Sequence, residues 1–287
     1  MSALREPREA PAQKSYQKML EQETTEGLKQ LERAPLGLLL SSFSAGLDLS
    51  FSLLLMGVMV TAAGGSLPAP VTDILVAMMY SIGFILVILG RSELFTEHTT
   101  RAVYPVLLGR ASPAALLRLW GLIYVGNIAG TAVFAKITVI IGPALGIIEL
   151  PRLGALAHRV VSHPWWVLVL SGILAGWLMG LLSWLVTASR DTISQVFFVW
   201  LITSAIGLCH LHHAVVGSAE VLAGVFTRQG PQGLTLGSYG VFELWATAGN
   251  IIGGFFFVAV LKYGHVVRGG REPEPVRLDE PEERLGK

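Results

Sequence analysis

Gly90-Arg91-Ser92-Glu93-Leu94-Phe95 closes one long apolar run, and Gly217-Ser218-Ala219-Glu220-Val221-Leu222 lies inside another in the second half of the chain. Each places a small-residue break beside a glutamate at a depth where an uninterrupted helix would otherwise continue. Working outward, Gly126-Asn127-Ile128-Ala129-Gly130 follows the first break, and Gly249-Asn250-Ile251-Ile252-Gly253 follows the second in the same order. Upstream, Ser44-Ala45-Gly46 has its counterpart in Leu174-Ala175-Gly176. Duplicated apolar segments interrupted at matching places are the pattern of a membrane transport protein whose pathway lies between its repeats.

The composition agrees. Of 287 residues, 52% are hydrophobic and 14% charged, with mean hydropathy +0.60. That is more apolar surface than one water-soluble core hides, so lipid is its solvent. Stretches long enough to cross a bilayer, about 20 residues each as helix, are Leu36–Ala63, Val71–Phe95, Ala114–Ile141, Trp165–Ala188, Ile193–Phe226 and Leu236–Tyr263. The fifth is too long for one straight crossing and is expected to break between Gly207 and Gly217. The fold class predicted is therefore an all-α membrane protein of six transmembrane helices, built as two three-helix repeats with helices 2 and 5 broken.

Charge sets the orientation. Lys29, Arg33, Arg101, Arg110, Arg118, Arg190, Lys262, Arg268 and Arg271 fall on one side of these spans, against Arg152, Arg159 and Arg228 on the other. Positive loops stay cytoplasmic, so both termini are expected there and the two repeats run in opposite directions. Residues 1–35 read as a cytoplasmic amphipathic segment with a helix over Ser15–Leu31, on the membrane surface or a neighbouring subunit. Residues 36–263 form the channel domain, and 264–287 a disordered tail rich in Pro, Arg and Glu. Residues 1–33 carry charges of both signs and no apolar core, so no cleavable signal is expected before the first span. A formal net charge of +1 gives no reason to expect nucleic acid. The single cysteine, Cys209, excludes an internal disulfide and a thiolate cluster and reads as a small packing residue.

Ionisable residues at membrane depth are expensive and point to function. Arg91, Glu93, Glu97 and His98 surround the first break, His210, His212, His213 and Glu220 the second, and Asp48 lies inside span one. Glu93 and Glu220 are expected to support the broken helix ends, accepting bonds from freed amides or from an arginine such as Arg91. Asp48 pairs with Arg91 or a histidine, or is neutral. One histidine is expected in the pathway as a proton donor near neutral pH; the others, His210 among them, bond to backbone around the break. A zinc site built on His210 and His213 has no second His-rich segment to complete it, and no metal or cofactor is expected. Asn127 and Asn250 read as helix-packing residues. Trp120, Trp165 and Trp166 read as an interfacial belt, and Trp177 and Trp184 as a lipid or subunit face.

These residues resemble the formate/nitrite transporter family across about Leu36 to Tyr263. Gly90-Arg91-Ser92-Glu93-Leu94-Phe95-Thr96 is similar to that family's Gly-x-Asp/Glu-Leu-Phe-Thr loop. His213-Ala214-Val215-Val216-Gly217-Ser218-Ala219-Glu220-Val221 is similar to its central histidine and broken fifth helix. The resemblance implies an aquaporin-like fold, a homopentamer with one pore per subunit in the inner cell membrane, and conduction of small monovalent anions or their conjugate weak acids. It places the central histidine at His213 and the pathway threonine at Thr96. Apolar constrictions fall at Leu94 and Phe95, with Tyr80 and Phe84 on the preceding half helix. Where better known anion channels carry pore asparagines, this chain has Gly176, in Gly172-Ile173-Leu174-Ala175-Gly176, and Gly217, after Val216. Those departures mark a divergent branch.

The mechanism expected is that an anion meets an apolar constriction where bare charge is strongly disfavoured, and crosses as a neutral acid after proton transfer at His213. The alternatives are a channel for a neutral small solute, an intramembrane metalloenzyme using His210, His213 and Asp48 or Glu220, and a non-conducting structural or sensory protein.

Overall fold

The computed structural model describes residues 14–227 and 234–270. Of the tail expected over 264–287, residues 271–287 lie outside this description, as do the charges Arg228 and Arg271 used for orientation, while 264–268 are helical.

The described chain is helical. Helix α1 (Tyr16–Glu32) starts at Ser15, whose hydroxyl accepts from the Lys18 amide at 3.3 Å, and stops before Pro35, as the residue ahead of a proline favours extended backbone. Its buried face holds Met19, Leu20, Glu23, Thr24, Gly27 and Leu31. That face packs on the chain's own helices.

Helices α2 (Pro35–Leu49) and α3 (Phe51–Ala63) form one nearly continuous rod. It bends at Ser50, whose hydroxyl donates back to the Gly46 carbonyl at 2.7 Å. Next come α4 (Ala69–Gly90), the short α5 (Phe95–Arg101) and α6 (Val103–Leu107), and the long α7 (Pro113–Ala144). Helix α8 (Leu150–Val161) is amphipathic and was not signalled by hydropathy. Then follow α9 (Trp165–Ala188), α10 (Thr192–Leu208), α11 (Ala214–Thr227) and α12 (Leu236–Ile252). The last rod continues through a π-helical stretch, Gly253–Val260, into α13 (Leu261–Arg268).

Five of these rods are long and apolar enough to cross a membrane: Pro35–Ala63, Ala69–Gly90, Pro113–Ala144, Trp165–Ala188 and Leu236–Arg268. A 22-residue helix such as α4 reaches roughly 33 Å at 1.5 Å per residue, against a hydrocarbon core of about 30 Å. The apolar run over Ile193–Phe226 is two helices, α10 and α11, and the run over Val71–Phe95 stops helically at Gly90. Large apolar side chains such as Leu36, Leu40, Val125, Ile140, Trp165 and Trp166 face outward, the reverse of a water-soluble protein.

The rods touch through small residues, which lets backbones approach where lipid supplies no hydrophobic drive. A Cβ on Gly46 of α2 would lie 2.9 Å from the Gly130 Cα of α7; one on Gly176 of α9 would lie 2.7 Å from the Asn250 Cα of α12. Trp177 is partly exposed and stacks on Phe257. Trp184 instead turns inward against Tyr104 and is buried. Cys209 caps the end of α10 and is exposed, not packed.

Candidate functional site

The two interruptions are built alike. Helix α4 ends on Arg91, a left-handed residue at φ +57°, and the Ser92 amide turns back to the Val87 carbonyl at 3.1 Å. Helix α10 ends near His210, left-handed at φ +50°, and the Leu211 amide turns back to Ile206 at 3.0 Å. Backbone left open inside an apolar interior must find partners, and one asparagine serves each opening. Asn127 Oδ1 accepts from the Phe95 amide at 2.8 Å, while its Nδ2 donates to the carbonyls of Ser42 at 2.8 Å and Glu93 at 2.9 Å. Asn250 Oδ1 accepts from the Ala214 amide at 2.9 Å, while its Nδ2 donates to Gly172 and His212, each at 2.9 Å. An amide suits this place because one side chain supplies an acceptor and two donors.

This bonding changes the register read from sequence. Arg91 corresponds to His210, Glu93 to His212, Leu94 to His213 and Phe95 to Ala214. The look-alike glutamates are therefore not equivalent. Glu93 accepts from Arg33 at 2.9 Å and pairs with His98 at 2.5 Å. Arg33, ahead of the first span, takes the place expected of Arg91. Glu220 lies two turns into α11 and, among the described residues, has no hydrogen bond or ion pair. Asp48 Oδ2 accepts from Ser44 and Ser92, each at 3.3 Å, rather than from Arg91 or a histidine.

His213 is 1% exposed and lies between the interruptions. Its Nε2 is 2.8 Å from Thr96 Oγ1 on α5, and the Val216 amide donates to its Nδ1 at 3.4 Å. A donor at Nδ1 assigns the ring proton to Nε2, so the neutral ring donates to Thr96. Phe84 meets the ring edge-on at 5.1 Å, and Tyr80 packs on Phe84 at 5.3 Å. Leu94 and Phe95 are fully enclosed, with Phe95 against Tyr124 at 5.1 Å.

A cavity of about 490 Å³ descends to this point between α3, α4, α8 and α10. Tyr80, His213, Gly217 and Glu220 line its inner part. Asp73, Arg152, Arg159, His163 and His210 are also on its wall. Arg159 pairs with Asp73 at 3.2 Å and Arg152 with Glu149 at 2.6 Å. Thr96, Phe84, Leu94 and Phe95 sit behind His213, off the cavity wall. Gly176 is also away from it, pressed on the Asn250 backbone. His212 is committed elsewhere: its Nδ1 is 2.8 Å from Ser171 Oγ and its Nε2 is 3.1 Å from the Val160 carbonyl.

Sequence reading missed a second cluster, on the α1 side. Glu23 is 1% exposed and accepts from Arg101 at 3.1 Å and Ser183 at 3.1 Å, and from Thr187. Arg101 also holds Glu97 at 2.7 Å. The only signal was a glutamate standing inside the apolar stripe of α1.

A family model described as formate/nitrite transporter matches residues 17–264. The chain belongs to the formate/nitrite transporter family. It is 32% identical over 245 residues to the inner membrane protein YfdC of Escherichia coli (strain K12), covering 84% of this chain and 76% of that one. A solved FNT family ion channel superposes with TM-score 0.78 at 23% identity, covering 86% of this chain and 98% of its own. A pentameric formate channel with formate bound superposes with TM-score 0.70 at 20% identity, covering 81% of this chain and 98% of that one. At those identities the structures establish a shared fold. The chain is thus a helical membrane protein of this transporter family.

Proposed function

We propose that the chain conducts small monovalent anions or their conjugate weak acids, of the size of formate or nitrite, with proton exchange at His213. The observation that carries this is His213 at the foot of the cavity, bonded to Thr96 across the gap between the two helix interruptions. An ion leaving the cavity there meets Phe84, Leu94 and Phe95, buried apolar groups beside which a bare charge is strongly disfavoured and a neutral acid is not. In this reading Thr96 and His213 exchange the proton, Tyr80 and Gly217 line the approach, and Gly176 acts through α9–α12 packing. Glu93, Arg91 and Asp48 support the first interruption, and His210 the second.

The same reading takes the architecture as six crossings in two inverted repeats, with the second and fifth crossings broken at Arg91–Leu94 and Cys209–His213. The doubled asparagine bonding supports it. Both termini are assigned to the cytoplasm and the protein to the inner membrane, with the cytoplasmic segment over 1–35, the channel over 36–263 and a tail over 264–287. A homopentamer in the bilayer is the assembly proposed, supported by the pentameric relative of the same fold.

Purified protein in liposomes, offered formate, nitrite, acetate and hydrosulfide with and without an inward proton gradient, tests the reading. Uptake of at least one should rise with the gradient and lose that rise in His213→Asn. No uptake above empty liposomes from folded protein overturns it.

A further inference from the structure

Glu220 is 8% exposed, lines the cavity and has no bonding partner among the described residues. It follows Gly217 by three positions along α11 and His213, the residue just ahead of that helix, by seven, and all three border the same space. Neighbouring groups are engaged elsewhere or stand apart. From α4 come Tyr80, without an ion pair, and Asp73, which holds Arg159 of α8; Arg152 of α8 holds Glu149. His163 and His210 are exposed at their loops, and His212 is bonded to Ser171 and Val160. On α7, Lys136 lies over the Phe226 ring at 5.7 Å, and Tyr124 donates to Glu243 of α12 at 2.8 Å; Tyr239 of α12 bonds Ser218 at 2.7 Å. An ionised carboxylate enclosed without a counter-charge is disfavoured, and the neutral acid needs none.

His213 poses the complementary problem. A neutral ring whose one proton is on Nε2 cannot give that proton away unless Nδ1 first gains one. The bond at Nδ1 is the long one, 3.4 Å from Val216, so it is the bond more easily displaced.

We propose that Glu220 is the residue that loads His213 with its proton from the cavity side. The inference rests on proton exchange at His213. The Glu220 O–H bond breaks as an Nδ1–H bond forms on His213, carried by cavity water over a rise of roughly 10 Å along the helix. The Nε2–H bond then breaks and an O–H bond forms on an anion beside Thr96. Glu220 is left as carboxylate and is reprotonated from the solvent that enters the cavity, and the ring, left neutral with its proton on Nδ1, returns to the Nε2 form by proton exchange with water before the next cycle. In sum one anion and one proton move together, with no change of oxidation state. Run backwards, the same steps release the proton to the cavity.

The test uses formate uptake by wild type, Glu220→Gln, Glu220→Asp and His213→Asn in liposomes, with and without an inward proton gradient. Glu220→Gln should lose about a hundredfold of the gradient-driven rate, the low end for one positioned acid or base; Glu220→Asp should recover part of the loss. If wild type is coupled and His213→Asn is uncoupled while Glu220→Gln matches wild type, the loading role is wrong and the His213 reading survives. If wild type shows no coupling, both are wrong. A second measurement needs no variant: dicyclohexylcarbodiimide, which attacks protonated carboxyls in apolar surroundings, should modify Glu220 of the wild-type protein at pH 7 and abolish coupling in step. Peptide mapping that finds Glu220 unmodified, or modified with coupling intact, overturns the proposal.

Discussion

Replacing Asn250 with leucine keeps the size of the side chain and deletes all of its bonding. Three groups lose their partner at once: the Ala214 amide and the carbonyls of Gly172 and His212. Each buried polar group left open costs about 1–3 kcal/mol, so a simple sum is about 3–9 kcal/mol. The carbonyls have helical neighbours that recover part of it, and about 4 kcal/mol is the expected loss. For a chain of this size about 1 kcal/mol moves Tm by roughly 2–4 °C, which gives a fall of about 8–16 °C. Asn127→Leu should behave alike, since Phe95, Ser42 and Glu93 occupy the matching places. Intrinsic fluorescence of the seven tryptophans reports the transition in detergent. Shifts below about 3 °C in both variants, less than 1 to 2 kcal/mol on this scale, would mean that the interruptions are held by something other than these amides.

Two further outcomes follow from the geometry. Glu23→Gln leaves Arg101 with Glu97 as its remaining carboxylate, and losing one charged partner of such a buried network costs about 1–3 kcal/mol; amide exchange along Tyr16–Glu32 should quicken, and unchanged protection there counts against Glu23 as the anchor of α1. Arg91→Gly removes a side chain from a left-handed position that disfavours it by roughly 1 kcal/mol; Tm should hold or rise by a few degrees, and a clear fall would assign the guanidinium a bond of its own.

The spans were legible because lipid-facing helices need apolar residues along their whole length. Trp165–Ala188 was readable to the residue for that reason. The small residues of Gly126–Gly130 and Gly249–Gly253 also announced close helix contact. What hydropathy could not carry was the alignment of the interruptions. Glu93 and Glu220 look alike as letters, yet equivalence is set by which amide and which carbonyls reach Asn127 and Asn250. Helix α8 escaped because it is short and only one of its faces is buried. Arg33 and Glu23 escaped because both precede the first span, and their partners Glu93 and Arg101 are at least 60 positions away in sequence. His213 was singled out by its neighbours in the motif, whereas its tautomer came only from Thr96 and Val216.

Each interruption is held from behind, through backbone atoms, by an asparagine that belongs to another helix. None of those bonds reads the side chains at Arg91–Leu94 or Cys209–His213. The side chains of Glu93, Ser92 and His212 are tied to the surrounding helices, whereas Leu94 has only packing contacts. If the proposed pathway holds, a substitution at Leu94 changes what a permeant meets there while the asparagine bonds that hold the interruption stay in place.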